Sequence, residues 1–264
     1  MSDEKDKKEK TEKKKPRRIF RKILYTIFIL MGLFILYVGY LYLTSPDVSY
    51  LKTENPKTTS MIELRKEEAK EEGKTLKIRQ KWVSPAAIPK IMKITLITAE
   101  DTDFYQHEGI DFYELKESIK KNLKEGKPAR GGSTITQQLA KNLFLSTQKS
   151  IIRKIKEFFI AKSLEKNLSK DRIMYLYLNV IEFGRGIFGV GAASEYFFGK
   201  SVSNLNLSEI VRLIGIIPKP LKESPLVYTR WLKWKARLLL GKMKARHQIS
   251  AAQYDSVIDQ FRRK

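Results

Sequence analysis

The sequence predicts a mainly α-helical protein with one apolar helix near its N-terminus. Three observations carry this reading. Residues 23–46, ILYTIFILMGLFILYVGYLYLTSP, contain no charged side chain. Most of the chain beyond them is a series of segments with apolar residues at i, i+3, i+4 and i+7, bounded by capping residues, glycines or prolines. Only residues 75–83 read as a strand.

The apolar run comes first. About 21 of its residues, at roughly 1.5 Å each, cross a ~30 Å hydrocarbon layer. It is longer than a signal-peptide core, and no small-residue cleavage site closes it. It is therefore expected to be a retained membrane anchor over 23–44. Residues 1–22 hold eleven Lys/Arg against five Asp/Glu. The positive-inside rule then leaves this basic tail in the cytoplasm and places everything after Ser45 outside. That orientation argues against nucleic acid as a partner. The formal charge of +23 favours an anionic partner instead, either an acidic membrane surface or a phosphorylated substrate. The chain has no cysteine, which excludes disulfides and thiolate metal sites.

Residues 45–75 read as a linker and then a charged helix over 61–72, ended by Gly73. Pro85 and Pro89 frame the start of a helix through Thr98, with Ile88, Ile91, Met92, Thr95 and Leu96 on its buried face. Asp111–Leu123 is a further helix, and Lys124–Gly132 is a loop. Helices are expected over 134–144, 150–167 and 170–180, the last capped by Ser169 with Asp171 in its first turn. Glycines 184, 186, 189 and 191 interrupt the next stretch. Helices resume over 189–198 and 207–217, and residues 228–263 hold two more.

Three segments carry chemistry. TAEDTDFYQHEG, residues 98–109, places four carboxylates and a histidine in twelve positions. Glu100 closes an apolar helix, where the dipole, neighbouring acids and partial burial all raise a carboxyl pKa. These are conditions for a general base, although the segment alone also reads as a solvated acidic turn. His107 reads as a hydrogen-bonding structural residue or a metal ligand. GGSTITQQLAKN, residues 131–142, offers Ser133, Thr134, Thr136, Gln137 and Gln138 at a helix start. Free N–H groups there suit an anion or sugar hydroxyls. Lys141 comes one turn later, and an ordinary capped polar helix is the plainer reading. In RKIKE, residues 153–157, Arg153 and Lys154 sit at i,i+4 and i,i+3 to Glu157. This is either a surface ion pair or a phosphate clamp.

Together the segments resemble the glycosyltransferase domain of peptidoglycan polymerases, most closely the monofunctional biosynthetic peptidoglycan transglycosylases. EDTDFYQHEGID is similar to that family's E-D-x-x-F-x-x-H-x-G-[FI]-D signature, and ARGGSTITQQLAKNLFL to its G-x-S-T-x-T-Q-Q block. RKIKE is similar to R-K-x-x-E, and KDRIMYLYLNVIEFGRGIFGVGAASEYFFGK to the block from K-x-x-I-L-E-x-Y-L-N to A-A-x-x-Y-F. The resemblance covers residues 76–240. Tyr175 stands where the family usually has Glu. RLIGIIPKP stands where an alanine-rich L-A-x-L-P-x-P is usual.

The resemblance implies a lysozyme-like α domain over 76–240 with a smaller jaw beside the membrane, and a basic helical tail over 241–264. It implies polymerisation of lipid II into β-1,4-linked glycan strands, with release of undecaprenyl diphosphate. Glu100 matches the base, and Glu157 a second acid of less settled role. The substrate and diphosphate set it implies is Asp101, Phe104, His107, Ser133, Thr134, Gln137, Gln138, Lys141, Arg153, Lys154 and Asn179. Leu143–Ile152 is expected either as lipid-facing jaw surface or as core. The implied partners are lipid II, the growing glycan chain, the bacterial plasma membrane and other cell-wall synthesis and division proteins. The resemblance fixes no cofactor and leaves a divalent cation open. Mg2+ on the diphosphate fits the chemistry, with no protein ligand set visible for it. A membrane-anchored muramidase or lytic transglycosylase would share the core and a catalytic Glu, but would not need the cations Lys141 and Arg153. A non-enzymatic basic membrane protein would not need Glu100.

Overall fold

The structure is a computed structural model that describes residues 14–125, 132–148 and 150–263. The chain falls into two compact units, Met1–Ser45 and Pro46–Lys264. The first carries helix α1, Lys14–Leu43. Within it, Ile19–Leu43 is long and apolar enough to cross a membrane, with a mean hydropathy of 2.2.

The second unit begins its regular structure with α2, Ser60–Glu71, capped by the Thr59 hydroxyl, which accepts from the Ile62 N–H at 3.1 Å. After it come β1 (Arg79–Gln80), α3 (Lys90–Glu100), α4 (Phe112–Glu125) and α5 (Ile135–Phe144). Next are α6 (Ile151–Asn167), α7 (Lys170–Val180), β2 (Glu182–Gly184) and β3 (Ile187–Phe188). The chain continues through α8 (Gly189–Phe198), α9 (Leu207–Gly215), α10 (Arg230–Ala245) and α11 (Ala251–Arg263). Side-chain caps set many of the starts: Ser150 for α6, Ser169 for α7, Asn206 for α9 and Thr229 for α10. The loop expected over Lys124–Gly132 lies largely outside the described residues.

Helix α5 is the centre of the unit. It packs against α6, α7 and α2, while α9 packs on α3 and α10, and α10 on α11 and α3. Ile135 and Leu139 of α5, Leu96 of α3, Ile160 and Leu164 of α6 and Leu176 and Tyr177 of α7 are fully buried in one core. The compact unit is wider than the domain expected over 76–240. Helix α2 belongs to it through its packing on α5, and the expected boundary at 240/241 falls inside α10.

The strand expected over 75–83 contracts to two residues. Its partner β3 is itself only two residues long, and the sheet is a small three-stranded one in the order β1-β3-β2. β1 runs parallel to β3, and β2 antiparallel to it. β2 and β3 lie in the glycine-interrupted stretch, where the sequence predicts no strand. Two glycines there make room for neighbouring backbone, one for the segment after β1 and one for the end of α7. A Cβ on Gly191 would stand 2.3 Å from the Lys81 carbonyl oxygen, and one on Gly189, at φ +77°, 2.4 Å from that of Asn179. Glycine spacing signals close backbone approach, which is compatible with short strands.

A buried ion pair clamps α2 to β2. Arg65 donates through Nε and Nη2 to the two carboxylate oxygens of Glu182, both at 2.8 Å, and through Nη1 to Glu68 at 2.7 Å. The pairing holds the Arg65 guanidinium above its ordinary pKa, chiefly through the hydrogen bonds to Glu182. Arg65→Met leaves the Glu182 charge buried and unpaired. The expected loss is about 3–5 kcal/mol in denaturant unfolding, and Arg65→Met/Glu182→Leu recovers most of it.

Candidate active site

Glu100 is the last residue of α3 and is held from two sides. The Gln138 amide donates to Oε2 at 3.2 Å, and the Lys235 ammonium reaches Oε1 at 3.5 Å and the Ala99 carbonyl at 3.4 Å. Behind Gln138, the fully buried Tyr177 donates its hydroxyl to the amide oxygen at 2.8 Å, so the amide orientation is set. Burial pushes the Glu100 carboxyl above the ordinary carboxylate value. Lys235 and Gln138 pull it back down, and Asp101 adds to the rise. A raised carboxyl pKa brings proton uptake closer to neutral pH, which is what a general base needs.

Asp101 is committed to the scaffold. Its Oδ2 accepts from the Ile135 N–H at 2.8 Å, at the first turn of α5, and its Oδ1 meets His107 Nε2 at 2.9 Å. His107 Nδ1 accepts from the Gly109 N–H at 3.1 Å, so Nε2 is the donor toward Asp101. His107 is thus a hydrogen-bonded structural residue rather than a metal ligand. Phe104 is fully buried, with the Lys170 ammonium 4.6 Å from its ring centroid. Thr134 and Gln137 form a reciprocal capping box on α5, and the Thr134 hydroxyl donates to the Gly109 carbonyl at 2.6 Å. Asn179 accepts from the Val83 N–H at 2.8 Å and donates to the Tyr175 carbonyl at 2.9 Å. Asp101, His107, Thr134, Gln137 and Asn179 are each hydrogen-bonded to backbone or to one another.

The cations are Lys141, one turn along α5, and Arg153 and Lys154 in the first turn of α6. Lys141 is i+3 to Gln138, so the two share a face about 5–6 Å apart at Cβ. Among the described residues the Lys141 ammonium makes no hydrogen bond or ion pair. Burial pushes its pKa down, Arg153 and Lys154 push the same way, and Glu157 and Glu182 oppose them. The buried Glu157 carboxylate accepts from Arg153 Nη1 at 2.6 Å and from the Lys154 ammonium. Lys154 also donates to the Ser133 hydroxyl at 3.1 Å, and Arg153 to the Gln148 carbonyl at 2.7 Å. Three cations around one carboxylate leave a net positive site suited to a polyanion. Among the described residues no group of three or more His, Asp or Glu side chains is placed to hold a metal ion.

The segment Leu143–Ile152 divides between its two expected readings. Leu143 and Leu145 are core, while Ile151 is 81% exposed and Ile152 is also exposed. Tyr175, where Glu is usual, is tilted against Trp82 at 5.8 Å and lies under the Arg172 guanidinium. Lys235 is absent from the residues that the sequence motifs single out. A signal for it is present: it lies i+3 from Leu232 and i−4 from Leu239, on the stripe of α10 that is otherwise buried.

A family model described as Transglycosylase matches residues 67–244. The chain belongs to the transglycosylase family. Among similar proteins, the biosynthetic peptidoglycan transglycosylase of Nitrosospira multiformis is 40% identical over 197 residues, 75% of this chain and 86% of that one. That of Nitrosomonas eutropha is 38% identical over 234 residues, 87% and 93% of the two chains. Penicillin-binding protein 1A from Haemophilus influenzae is similar in structure with a TM-score of 0.40 at 19% identity, over 70% of this chain and 18% of that one. As a member of this family, the protein is a glycosyl-transferring enzyme, and its matched region contains Glu100, α5, the cation cluster and Lys235.

Asp101→Ala strands the Ile135 N–H and His107 together. The expected cost is about 2–3 kcal/mol in thermal or denaturant unfolding. Asp101→Asn, which keeps an acceptor for Ile135, is expected to cost less. Equal losses for the two variants would show that the acceptor is not what holds the start of α5.

Proposed function

We propose that this protein is a membrane-anchored peptidoglycan glycosyltransferase that polymerises lipid II into β-1,4-linked glycan strands. The observation that carries the reading is that α5 links the largely buried, raised carboxyl at the end of α3 to a cation cluster on α5 and α6. Gln138 holds Glu100, and Lys141, one turn on, stands beside Arg153, Lys154 and Glu157. The names of the relatives point to peptidoglycan, and lipid II follows from the resemblance of the sequence blocks.

In this reading the GlcNAc 4-hydroxyl of lipid II attacks C1 of the MurNAc at the reducing end of the growing chain. Its proton passes to Glu100. The C1–O bond to phosphate breaks, its electron pair leaves with undecaprenyl diphosphate, and C1 inverts. Diphosphate is a good leaving group that needs charge stabilisation more than a proton. Lys141, whose ammonium has no hydrogen-bond or ion-pair partner among the described residues, makes the first contact, and Arg153 and Lys154 add to the field. Glu157 positions the two cations and is not the proton acceptor. Gln138 and Lys235 fix the direction of the Glu100 carboxyl. Ser133 and Gln138 remain the candidate polar contacts to sugar, whereas Thr134, Gln137 and Asn179 act through the backbone they brace. The apolar helix within α1 keeps the enzyme at the bilayer that holds its substrate, with the N-terminus on the cytoplasmic side by the positive-inside rule. A glycan hydrolase has no use for the cation cluster.

Glu100→Gln is expected to stay folded, bind lipid II and lose about 10²–10⁴-fold in polymerisation, read from labelled lipid II on a gel. Near-normal polymer would remove Glu100 as the base. Lys141→Ala is expected to lose about 10²–10³-fold, and cleavage of preformed glycan undiminished by Lys141→Ala would favour the hydrolase. The working form of Glu100 is the ionised one, so activity falls as pH drops through its raised pKa. Lys235→Met removes the charge that pulls that pKa down. The acidic limb of kcat/KM should therefore move to higher pH, and Lys235→Arg should restore it. An unmoved limb would show that Lys235 does not set the ionisation of the base.

A further inference from the structure

Helix α10 has an outer face that its place in the fold does not explain. Leu232, Ala236, Leu239, Leu240 and Met243 are buried and complete its core stripe. A helix whose apolar stripe is already covered normally turns polar side chains to water. Here Trp234 and Leu238, one turn apart, are 52% and 43% exposed. Exposed Arg230, Arg237 and Lys242 stand around them. The helix carries six Lys/Arg and no Asp or Glu. The Trp234 ring lies 5.0 Å from that of Trp231, and the Lys219 ammonium sits 3.5 Å from the Trp231 ring centroid. Leu221, Leu226 and Val227, in the segment that leads into the helix, are exposed as well.

Indole and aliphatic side chains surrounded by cations, with no acid on the helix, suit the boundary between headgroups and acyl chains. Basic side chains there meet lipid phosphates. The chain also ties the unit that contains this helix to the apolar span by a short connection. Only Thr44 and Ser45 separate the apolar span Ile19–Leu43 from Pro46, the first residue of the unit that contains α10. A short tether gives a high effective concentration, so weak contacts suffice.

We propose that the outer face of α10 is a membrane footprint, with Trp234 and Leu238 entering the interface and Arg230, Arg237 and Lys242 meeting anionic headgroups. Lys235, half-buried at the edge of the core stripe of the same helix, reaches Glu100. On the polymerase reading, the footprint therefore ties the catalytic carboxyl to a fixed height above the bilayer. The footprint itself is tested without any measurement of activity.

The chain has three tryptophans, Trp82, Trp231 and Trp234, and none lies in α1. Indole fluorescence therefore reports only the unit after Ser45. The full chain is reconstituted in vesicles of phosphatidylglycerol and phosphatidylcholine, with acyl chains brominated near the headgroup or left plain. The expected result is quenching by the brominated lipid that Trp234→Phe largely abolishes and Trp82→Phe leaves in place. It should weaken in about 1 M salt, where the Debye length falls to about 3 Å, and in an Arg237→Glu/Lys242→Glu variant of unchanged circular dichroism. No quenching in the wild type, or equal quenching in Trp234→Phe, would overturn the footprint. Quenching indifferent to salt and to the double charge reversal would overturn its electrostatic basis. Shielding of Trp234 from a soluble quencher that appears only when other envelope proteins are added would assign the face to a protein instead.

Discussion

The buried Asp101 carboxylate is the contact on which the site depends. One oxygen takes the Ile135 N–H, which has no partner within its own helix at the start of α5. The other is fixed by His107, whose second ring nitrogen is occupied by the Gly109 N–H. A carboxylate at a helix N-terminus is also where the helix dipole favours negative charge. The end of α3 is thereby joined to the start of α5. Glu100, one residue before Asp101, and Gln138, three residues after Ile135, then meet at 3.2 Å. If α5 shifted by part of a turn, Gln138 would leave Glu100, and Lys141 would leave the cations of α6.

Burial produces both chemical properties of the site, with opposite effects on acid and cation. It raises the Glu100 carboxyl and lowers the Lys141 ammonium, because each charged form loses solvation. Neither shift runs unopposed. Lys235 restrains the first, and Glu157 and Glu182 restrain the second. Glu182 has a second task, since it receives Arg65 and ties α2 to the small sheet. The charges that support the fold and those that condition the site are therefore coupled at this carboxylate.

Much of the polar sequence around the chemistry serves to hold backbone in place. Thr134 and Gln137 cap α5, and Asn179 takes the Val83 N–H that no strand partner receives. The Thr136 hydroxyl donates to Glu165 at 2.5 Å, and Glu165 in turn accepts from Lys170 at 2.8 Å. These groups are buried and paired. Leaving any of them unpaired costs more than the hydrogen bond contributes, so they are as restricted in residue type as a substrate contact. Residue type alone does not separate the two roles.

The sequence by itself determined the helices, because they depend on local matters: 3.6-residue periodicity, a Ser, Thr or Asn cap, a terminating glycine or proline. It also determined the charge-free span near the N-terminus, the segments that carry the site, and the spacing of Arg153, Lys154 and Glu157 on one helix. Only the tertiary structure decided which of the polar residues are free. Lys141 and Arg153 look alike in sequence, yet among the described residues one ammonium is unpaired and the other cation is bound to Glu157. Lys235 is about 135 residues from Glu100 along the chain, and no local pattern pairs them. The length of β1 was likewise set by its neighbour β3, which ends where α8 begins. Hydrogen-bond satisfaction and burial are long-range properties, and they settle what a short motif leaves open.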